Sequence, residues 1–398
     1  MDINKCRQHT PGTHNVIHFN NAGAALMPAS VTEATIDYLN EEANYGGYET
    51  ARAHRQQLDE VYDNIATLIN AYSSEIALQE NATTAWNNAF FAVDFEDGDR
   101  ILTSVSEYAS NYIGYLKLQE KKDVTIEIIP SDESGKTSLQ SLSEMMNHEV
   151  KLVSITHIPT NSGLVNPVEE IGDIVQRYNC LYLVDGCQSV GHYPVDVKEI
   201  GCDMLSATGR KYLRGPRGTG FLYVNNKKID TLSPPFLDLH AATWISKNEY
   251  TVRDDARKFE NWESNYAAIS GLNQAVAYAN NLGINNIWDR IVMLADQLRV
   301  KLSNIDFVTV RDIGSVKGGI VTFTIDGMSA QEVQKNLSEH HINVSISGKS
   351  STLLDMNYRN LDEVVRASVH YYNTEKEINK LVNVLKTLSS TSSHTNSL

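Results

Sequence analysis

A carboxylate and a lysine, each at the end of a strand-like run, are the residues of this chain whose types and placement suit covalent chemistry. Asp185 directly follows the apolar run Leu181-Tyr182-Leu183-Val184, with Gln188 three residues beyond it. Lys211 lies in Ser206-Ala207-Thr208-Gly209-Arg210-Lys211-Tyr212-Leu213-Arg214-Gly215-Pro216, after another short run and before a glycine-proline loop. In an open α/β sheet the carboxyl ends of the strands border the ligand crevice. Taken singly, Asp185 also fits an ordinary turn, and Lys211 a solvated charge. Taken together, the carboxylate, hydroxyl, arginine and lysine match what pyridoxal 5′-phosphate requires. The lysine forms a Schiff base, and the carboxylate keeps the pyridine nitrogen protonated so that the ring can accept carbanion electrons. Thr208 and Arg210 would hold the phosphate, the arginine through a forked, charge-assisted contact. Asn81-Ala82-Thr83-Thr84-Ala85-Trp86 falls at a sheet-to-helix junction, where free backbone N–H groups make a phosphate site; an ordinary N-cap fits it equally well.

The elements that must carry these residues are legible in the hydrophobic pattern. From about residue 65 to 225, short apolar runs alternate with amphipathic stretches, as in βαβ units with a mainly parallel sheet. Strands are expected at 100–105, 124–129, 152–156, 181–184, 204–207 and 220–224. A helix is expected over 168–178, because Val168, Ile171, Ile174, Val175 and Tyr178 recur at three- to four-residue steps. After residue 272 a long helical region runs to about 302, followed by strands at 307–310 and 319–325. Ser329 with Glu332 and Thr374 with Glu377 have the spacing of capping boxes. These features describe a smaller α+β domain, one antiparallel sheet with helices on one face. In its last strand, alternation places Arg366, Ser368 and His370 on one face and Val365, Ala367 and Val369 on the other, so that Arg366 looks into a cleft. An edge-strand arginine in a surface ion pair is the competing reading. The expected division is a segment 1–28 joining the small domain, a large domain 29–280, a small domain 281–390 and a flexible tail 391–398.

Composition narrows the function classes. The 398 residues suit two domains, and 41% hydrophobic with 21% charged content is that of a globular chain. A net charge of −15 repels polyphosphate and anionic lipid, which disfavours nucleic acid and membrane as partners. The N-terminus has neither the apolar stretch of a secretory signal nor the arginine enrichment of a transit peptide, so a cytoplasmic location is expected. Cys6, Cys180, Cys187 and Cys202 form no CxxC pair and read as reduced thiols. Gly348-Lys349-Ser350 resembles the end of a Walker A loop, but Asn343 occupies the place of its first glycine. The glycine-rich 214–220 precedes a strand instead of following one, so it is not a dinucleotide fingerprint. It reads instead as a close approach of backbone to some other group. His340-His341 and the lack of HExxH leave no local metal motif, and no metal site is expected.

Several further motifs fall in one order along nearly the whole chain. They are Asn20-Asn21-Ala22-Gly23, Asn81-Ala82-Thr83-Thr84-Ala85, Thr156-His157-Ile158-Pro159-Thr160-Asn161-Ser162-Gly163 and Val184-Asp185-Gly186-Cys187-Gln188-Ser189, followed by the Lys211 segment and Val365-Arg366-Ala367-Ser368-Val369-His370. In this order the chain resembles the class V aminotransferase and cysteine desulfurase group of fold type I pyridoxal-phosphate enzymes. The resemblance implies a large domain with a mainly parallel sheet flanked by helices and a smaller α+β C-terminal domain. It implies that Lys211 is the Schiff-base lysine and that Asp185 pairs with the pyridine nitrogen. Gln188, with Asn161 or Thr160, would contact the ring hydroxyl, while Thr83, Thr84, Ala85, Thr208 and Arg210 surround the phosphate. Tyr108 stands where the desulfurases have a stacking histidine. A tyrosine can also stack, but with an unperturbed pKa of about 10 it is not the same proton donor. Arg366 would receive the substrate carboxylate, with Asn21 beside it. The stretch 258–266, including Trp262, resembles the part that reaches the cofactor of a neighbouring subunit, which implies a homodimer with shared sites.

One departure bears on the reaction. The segment Ser347-Gly348-Lys349-Ser350-Ser351-Thr352-Leu353 lies where desulfurases carry their persulfide-forming cysteine, and it contains none. The texture from Asn343-Val344-Ser345 through Ser350-Ser351-Thr352, with the Trp262-Glu263 pair, resembles isopenicillin N epimerase-like and hercynylcysteine sulfoxide lyase-like members. The resemblance therefore implies a small α-amino acid as substrate, with β-elimination at a carbon–sulfur bond placed ahead of aminotransfer or epimerisation. A cofactor-binding protein without activity is the remaining alternative.

Overall fold

The computed structural model describes residues 1–392. Seven strands form one sheet in the order Ile76–Gln79, Gly220–Val224, Met204–Thr208, Leu181–Asp185, Val150–Thr156, Arg100–Ser104, Thr125–Ile129. Gly220–Val224 runs antiparallel to both of its neighbours, and the remaining pairings are parallel. The central strands are buried on both faces, as their unbroken apolar runs require. Six of these strands match the expected runs to within two or three residues at each end. Ile76–Gln79 was not anticipated, since four residues beside a helix give little period to read.

Helices cover both sides. Val168–Val175 buries Val168, Ile171, Ile174 and Val175 on one face. Each fully buried aliphatic side chain contributes about 1.5–3 kcal/mol. The helix ends sooner than the periodicity suggests, and Tyr178 is exposed in the following turn. The long helical region resolves into Tyr266–Leu282 and Ile284–Ser303, broken at Gly283, whose φ of 80° ends the first helix as few other residues can. The first of these packs on the helices Ala29–Tyr45 and Arg55–Ile69, and the second on Val308–Val310 and Ile320–Ile325.

A second sheet, wholly antiparallel, has the order Val308–Val310, Ile320–Ile325, Glu363–Ser368, Ser345–Gly348. Both capping boxes form: Ser329 with Glu332 starts Ala330–Glu339, and Thr374 with Glu377 starts Glu375–Ser392. Residues 391 and 392 are thus helical, and the rest of the expected tail lies outside the described residues. The N-terminal segment reaches this half of the molecule: Ile17–His18 pairs parallel with Ile342–Asn343, and Asn20 bridges Ser368. Arg366 sits in a strand buried on both faces, and His370 lies beyond that strand's end. The polar face is buried because Ser368 takes the Ala22 N–H at 2.8 Å and Arg366 reaches Thr160.

The loop after Lys211 is fixed by Arg214, a buried non-glycine residue at φ 64°. It donates to Leu26 O at 2.7 Å, Tyr371 Oη at 2.5 Å and Thr10 Oγ1 at 2.6 Å, and its guanidinium lies over the rings of Tyr371 and Tyr372. The group that the glycine-rich loop approaches is the chain's own backbone. A Cβ on Gly220 would stand 2.5 Å from Ala207 O and about 3 Å from Asn81. This contact holds the Asn81 turn against the strand that precedes Lys211.

Candidate active site

The carboxyl ends of the parallel strands open onto one cleft of about 180 Å³. Asp185 enters it from the end of Leu181–Asp185, and Thr208, Arg210 and Lys211 from the end of Met204–Thr208. Tyr108, the N-cap of the helix Ala109–Gln119, forms part of the wall, with Thr83 and Gln188 opposite other parts of it. Asn81, Ala82, Asn111, Thr156, Thr160 and Cys187 complete the polar lining. Sequence separation of more than a hundred residues between Thr83 and Lys211 is closed by strand order alone.

Electrostatics inside the cleft are set by burial. Asp185 Oδ1 accepts the Cys187 N–H at 2.9 Å, and Oδ2 accepts Asn111 Nδ2 at 2.9 Å. Burial raises the Asp185 pKa, while these two donors and the positive charge of Lys211 pull it back. The Lys211 pKa is lowered, chiefly by burial, with Arg210 and Arg366 adding repulsion. Burial raises the thiol of Cys187, which lies against Lys211. Arg210 donates to Gly23 O, and Thr208 Oγ1 to Thr219 O at 3.3 Å.

Arg366 approaches the cleft from the second sheet. Its Nε donates to Ser345 Oγ at 3.0 Å, and its Nη1 to Thr160 O at 3.3 Å and to Thr160 Oγ1. Burial lowers its pKa to about 10, and its field reaches Lys211 and Tyr108. Among the described residues neither Arg366 nor Lys211 has a carboxylate within 4 Å.

Besides Arg366, which lies behind Thr160, five expected residues stand apart from the cleft wall. Ala85 points into the apolar core with Trp86, because that face of the helix Ala82–Phe90 must cover the sheet. Thr84 gives its N–H to the Asn81 cap at 2.9 Å, and its side chain borders a neighbouring surface groove with Phe236 and Asn261. Asn161 is buried behind the wall, its Nδ2 on Thr352 Oγ1 at 2.7 Å and its Oδ1 unpartnered. Asn21 is wholly enclosed: its Nδ2 donates to His18 O at 3.1 Å and Ser368 O at 2.7 Å, and its Oδ1 accepts from Tyr372. Those bonds tie the N-terminal segment to the second sheet and leave no group for a substrate. Trp262 is nearly half exposed on a loop and does not line the cleft of its own chain.

Asn111, Thr156 and Glu107 were missed. Glu107 and Asn111 stand four residues apart, which is a readable pair spacing, but its partner Asp185 is 74 positions away. Among the described residues no group of three or more metal-ligating side chains gathers, and no helix is long and apolar enough to cross a membrane.

The residues present fit pyridoxal 5′-phosphate. Gln188 Oε1 is buried in the cleft without a hydrogen-bond partner among the described residues, the state of an acceptor awaiting a ligand hydroxyl. The first-turn N–H groups of Ala82 and Thr83 have no intrahelical acceptor, and with Thr208 and Arg210 they frame a dianion site.

The class V aminotransferase model matches residues 17–381. A probable cysteine desulfurase of Methanothermobacter thermautotrophicus is 31% identical over 97% of this chain and 98% of its own. One of Pyrococcus abyssi is 30% identical over 96% of each. Among solved structures, the apo cysteine desulfurase of Thermococcus onnurineus NA1 superposes with a TM-score of 0.92 at 26% identity, covering 98% of this chain and 99% of that one. A family match that spans both sheets, together with a lysine, a carboxylate and a phosphate cradle in one cleft, leaves one assignment: the chain belongs to the class V aminotransferase family.

Proposed function

We propose that this protein is a pyridoxal-phosphate-dependent C–S lyase that eliminates the sulfur substituent from Cβ of a small α-amino acid. The observation that carries the reading is the segment over the cleft, 347–352. Ser351 O accepts the Ala109 N–H at 2.9 Å and Thr352 Oγ1 accepts from Asn161, so the segment is tied down beside Tyr108 and brings no thiol with it. The persulfide-forming cysteine that the sequence resemblance would put at that place is missing, so in this reading the leaving sulfur departs with its own substituent.

When bound, pyridoxal 5′-phosphate supplies the electron sink for the pair left at Cα. Thr83, Thr208 and Arg210, with the Ala82 and Thr83 N–H groups, hold its phosphate. Asp185 would pair with the ring nitrogen, Gln188 Oε1 would accept from the ring hydroxyl, and Tyr108 would stack on the ring. Arg366 binds the substrate carboxylate, whose charge supplies the counter-ion that the buried guanidinium lacks. Lys211 Nζ, its basicity lowered by burial, holds the cofactor in the resting protein and then takes the Cα proton. Balanced overall, the amino acid and water yield pyruvate, ammonia and the departing sulfur group, which is hydrogen sulfide from cysteine, a persulfide from cystine and a sulfenic acid from a cysteine sulfoxide. Of the other expected residues, Asn21, Ala85 and Asn161 support the site through packing and hydrogen bonds.

The same reading divides the chain into a segment 1–28 joined to the small domain, a large domain 29–280 and a small domain 281–390. It also makes the protein a homodimer. Phe236, Leu239, Trp244, Tyr250 and Trp262 expose large apolar surfaces on one stretch of chain beside the groove that holds Thr84, and a second copy would cover them. Four free cysteines fit a reducing, cytoplasmic location. The deciding experiment gives purified holoprotein L-cystine, L-cysteine or a cysteine sulfoxide singly. Pyruvate and ammonia in equal amounts establish the lyase. Alanine would make it a desulfurase, and amino transfer to a keto acid without free ammonia an aminotransferase.

A further inference from the structure

Behind Asp185 stands a second buried carboxylate that the chemistry above does not use. Glu107 is fully buried and has no basic partner within 4 Å among the described residues. Its Oε2 accepts from Thr103 Oγ1 at 2.6 Å and Tyr115 Oη at 2.9 Å. Its Oε1 accepts from Thr156 Oγ1 at 2.6 Å, the Tyr108 N–H at 2.8 Å and Asn111 Nδ2 at 2.9 Å. A carboxylate held by donors from two adjacent strands and one helix is a rigid anchor.

Asn111 connects that anchor to the cleft. The same Nδ2 that reaches Glu107 lies 2.9 Å from Asp185 Oδ2. A primary amide nitrogen has two hydrogens, so one side chain can span both carboxylates. Asp185 Oδ1 is held by the Cys187 N–H at 2.9 Å. With one protein donor on each oxygen, the plane of the Asp185 carboxylate is fixed and one acceptor site on each oxygen remains. Glu107 meanwhile fixes the backbone of Tyr108, which lines the same cleft.

We propose that Asn111, clamped by Glu107, is a positioning residue that sets the Asp185 carboxylate for the ring nitrogen of the cofactor, and that Glu107 fixes Tyr108 over the ring from the same anchor. The proposal rests on the cofactor reading given above. Its test is a double-mutant cycle on cofactor binding without substrate. Apoprotein fluorescence is titrated with pyridoxal 5′-phosphate for wild type, Asn111→Ala, Asp185→Ala and the double variant. Asn111→Ala is expected to weaken binding about tenfold, in addition to the lower apoprotein midpoint that follows from leaving two buried carboxylates one donor short. In the Asp185→Ala background the same substitution should add nothing, because Asn111 acts through Asp185. Equal Kd values for wild type and Asn111→Ala, or effects that multiply in the double variant, would overturn the proposal. Should Asn111→Ala not fold, Asn111→Ser enters the same cycle, since a hydroxyl has one hydrogen and cannot donate to both carboxylates. Wild-type apoprotein that fails to bind pyridoxal 5′-phosphate would sink the cofactor reading itself, an outcome separate from these.

Discussion

Replacing Arg366 by methionine should separate function from stability. The side chain is 8% exposed, and its polar partners are Ser345 and Thr160, both neutral. Burial takes its pKa from 12.5 to about 10. At about 1.36 kcal/mol per unit, that depression is a folded-state cost of roughly 3 kcal/mol. The folded chain holds this proton less tightly than the unfolded one, so the cost is present throughout the neutral range and relieved only as pH rises from about 10 toward 12.5. Methionine keeps the apolar stem, removes the charge and forfeits three bonds to Ser345 and Thr160, worth about 1 kcal/mol each. Relief and loss roughly cancel, so the apoprotein should be about as stable as wild type. Substrate binding should suffer, because a hydrogen bond to a charged group contributes about 1.5–3 kcal/mol, or roughly a 10- to 150-fold rise in KM. Steady-state kinetics on the best sulfur substrate, beside a thermal melt of the apoprotein, measure both. An unchanged KM with a lowered midpoint would refute the reasoning and make Arg366 a structural residue.

Lys211→Ala should abolish turnover while Thr83, Thr208 and Arg210 still hold the phosphate; mass spectrometry after borohydride should show cofactor fixed to wild type and none fixed to the variant. Asp312→Ala removes the carboxylate that meets Arg299 Nε at 2.7 Å in the interior. Breaking such a buried pair costs about 3–5 kcal/mol, which a lowered urea midpoint would report. A methyl group on Gly172 would meet Ile200 O at 1.8 Å, so Gly172→Ala should force the helix Val168–Val175 away from the short helix Val197–Ile200, and a thermal midpoint equal to wild type would contradict that contact. Burial depresses His157 and His192 to about 3. Each then contributes stability that is whole above its unfolded value near 6.5 and is lost as pH falls toward 3. The slope of thermal midpoint against pH below 6.5 should be shallower in His157→Met, and an identical slope would show that this ring is not buried neutral.

How much of this was legible depends on the range over which each feature is determined. Apolar runs bounded by turn residues revealed six strands of the large sheet, since a strand buried on both faces needs no partner's identity to be recognised. Capping boxes at Ser329 and Thr374 were readable for the same reason: donor and acceptor lie three residues apart. Asp185 and Lys211 stood out because strand ends are where a crevice forms. Gly283 was harder, as the helical period continues on both sides of it and only its positive φ records the break. The placement of Asn21 and Trp262 could not be read at all. Asn21 is consumed by Ser368 and Tyr372, more than three hundred residues away, and Trp262 faces outward on a loop that its own chain leaves uncovered. The sequence by itself therefore determined the α/β fold class with its mainly parallel sheet and the lysine–carboxylate pair, because local periodicity and strand ends encode them. Tertiary structure alone decided that Asn111 joins Glu107 to Asp185 and that Arg366 lies buried without a counter-ion, because those contacts are set by which strands become neighbours.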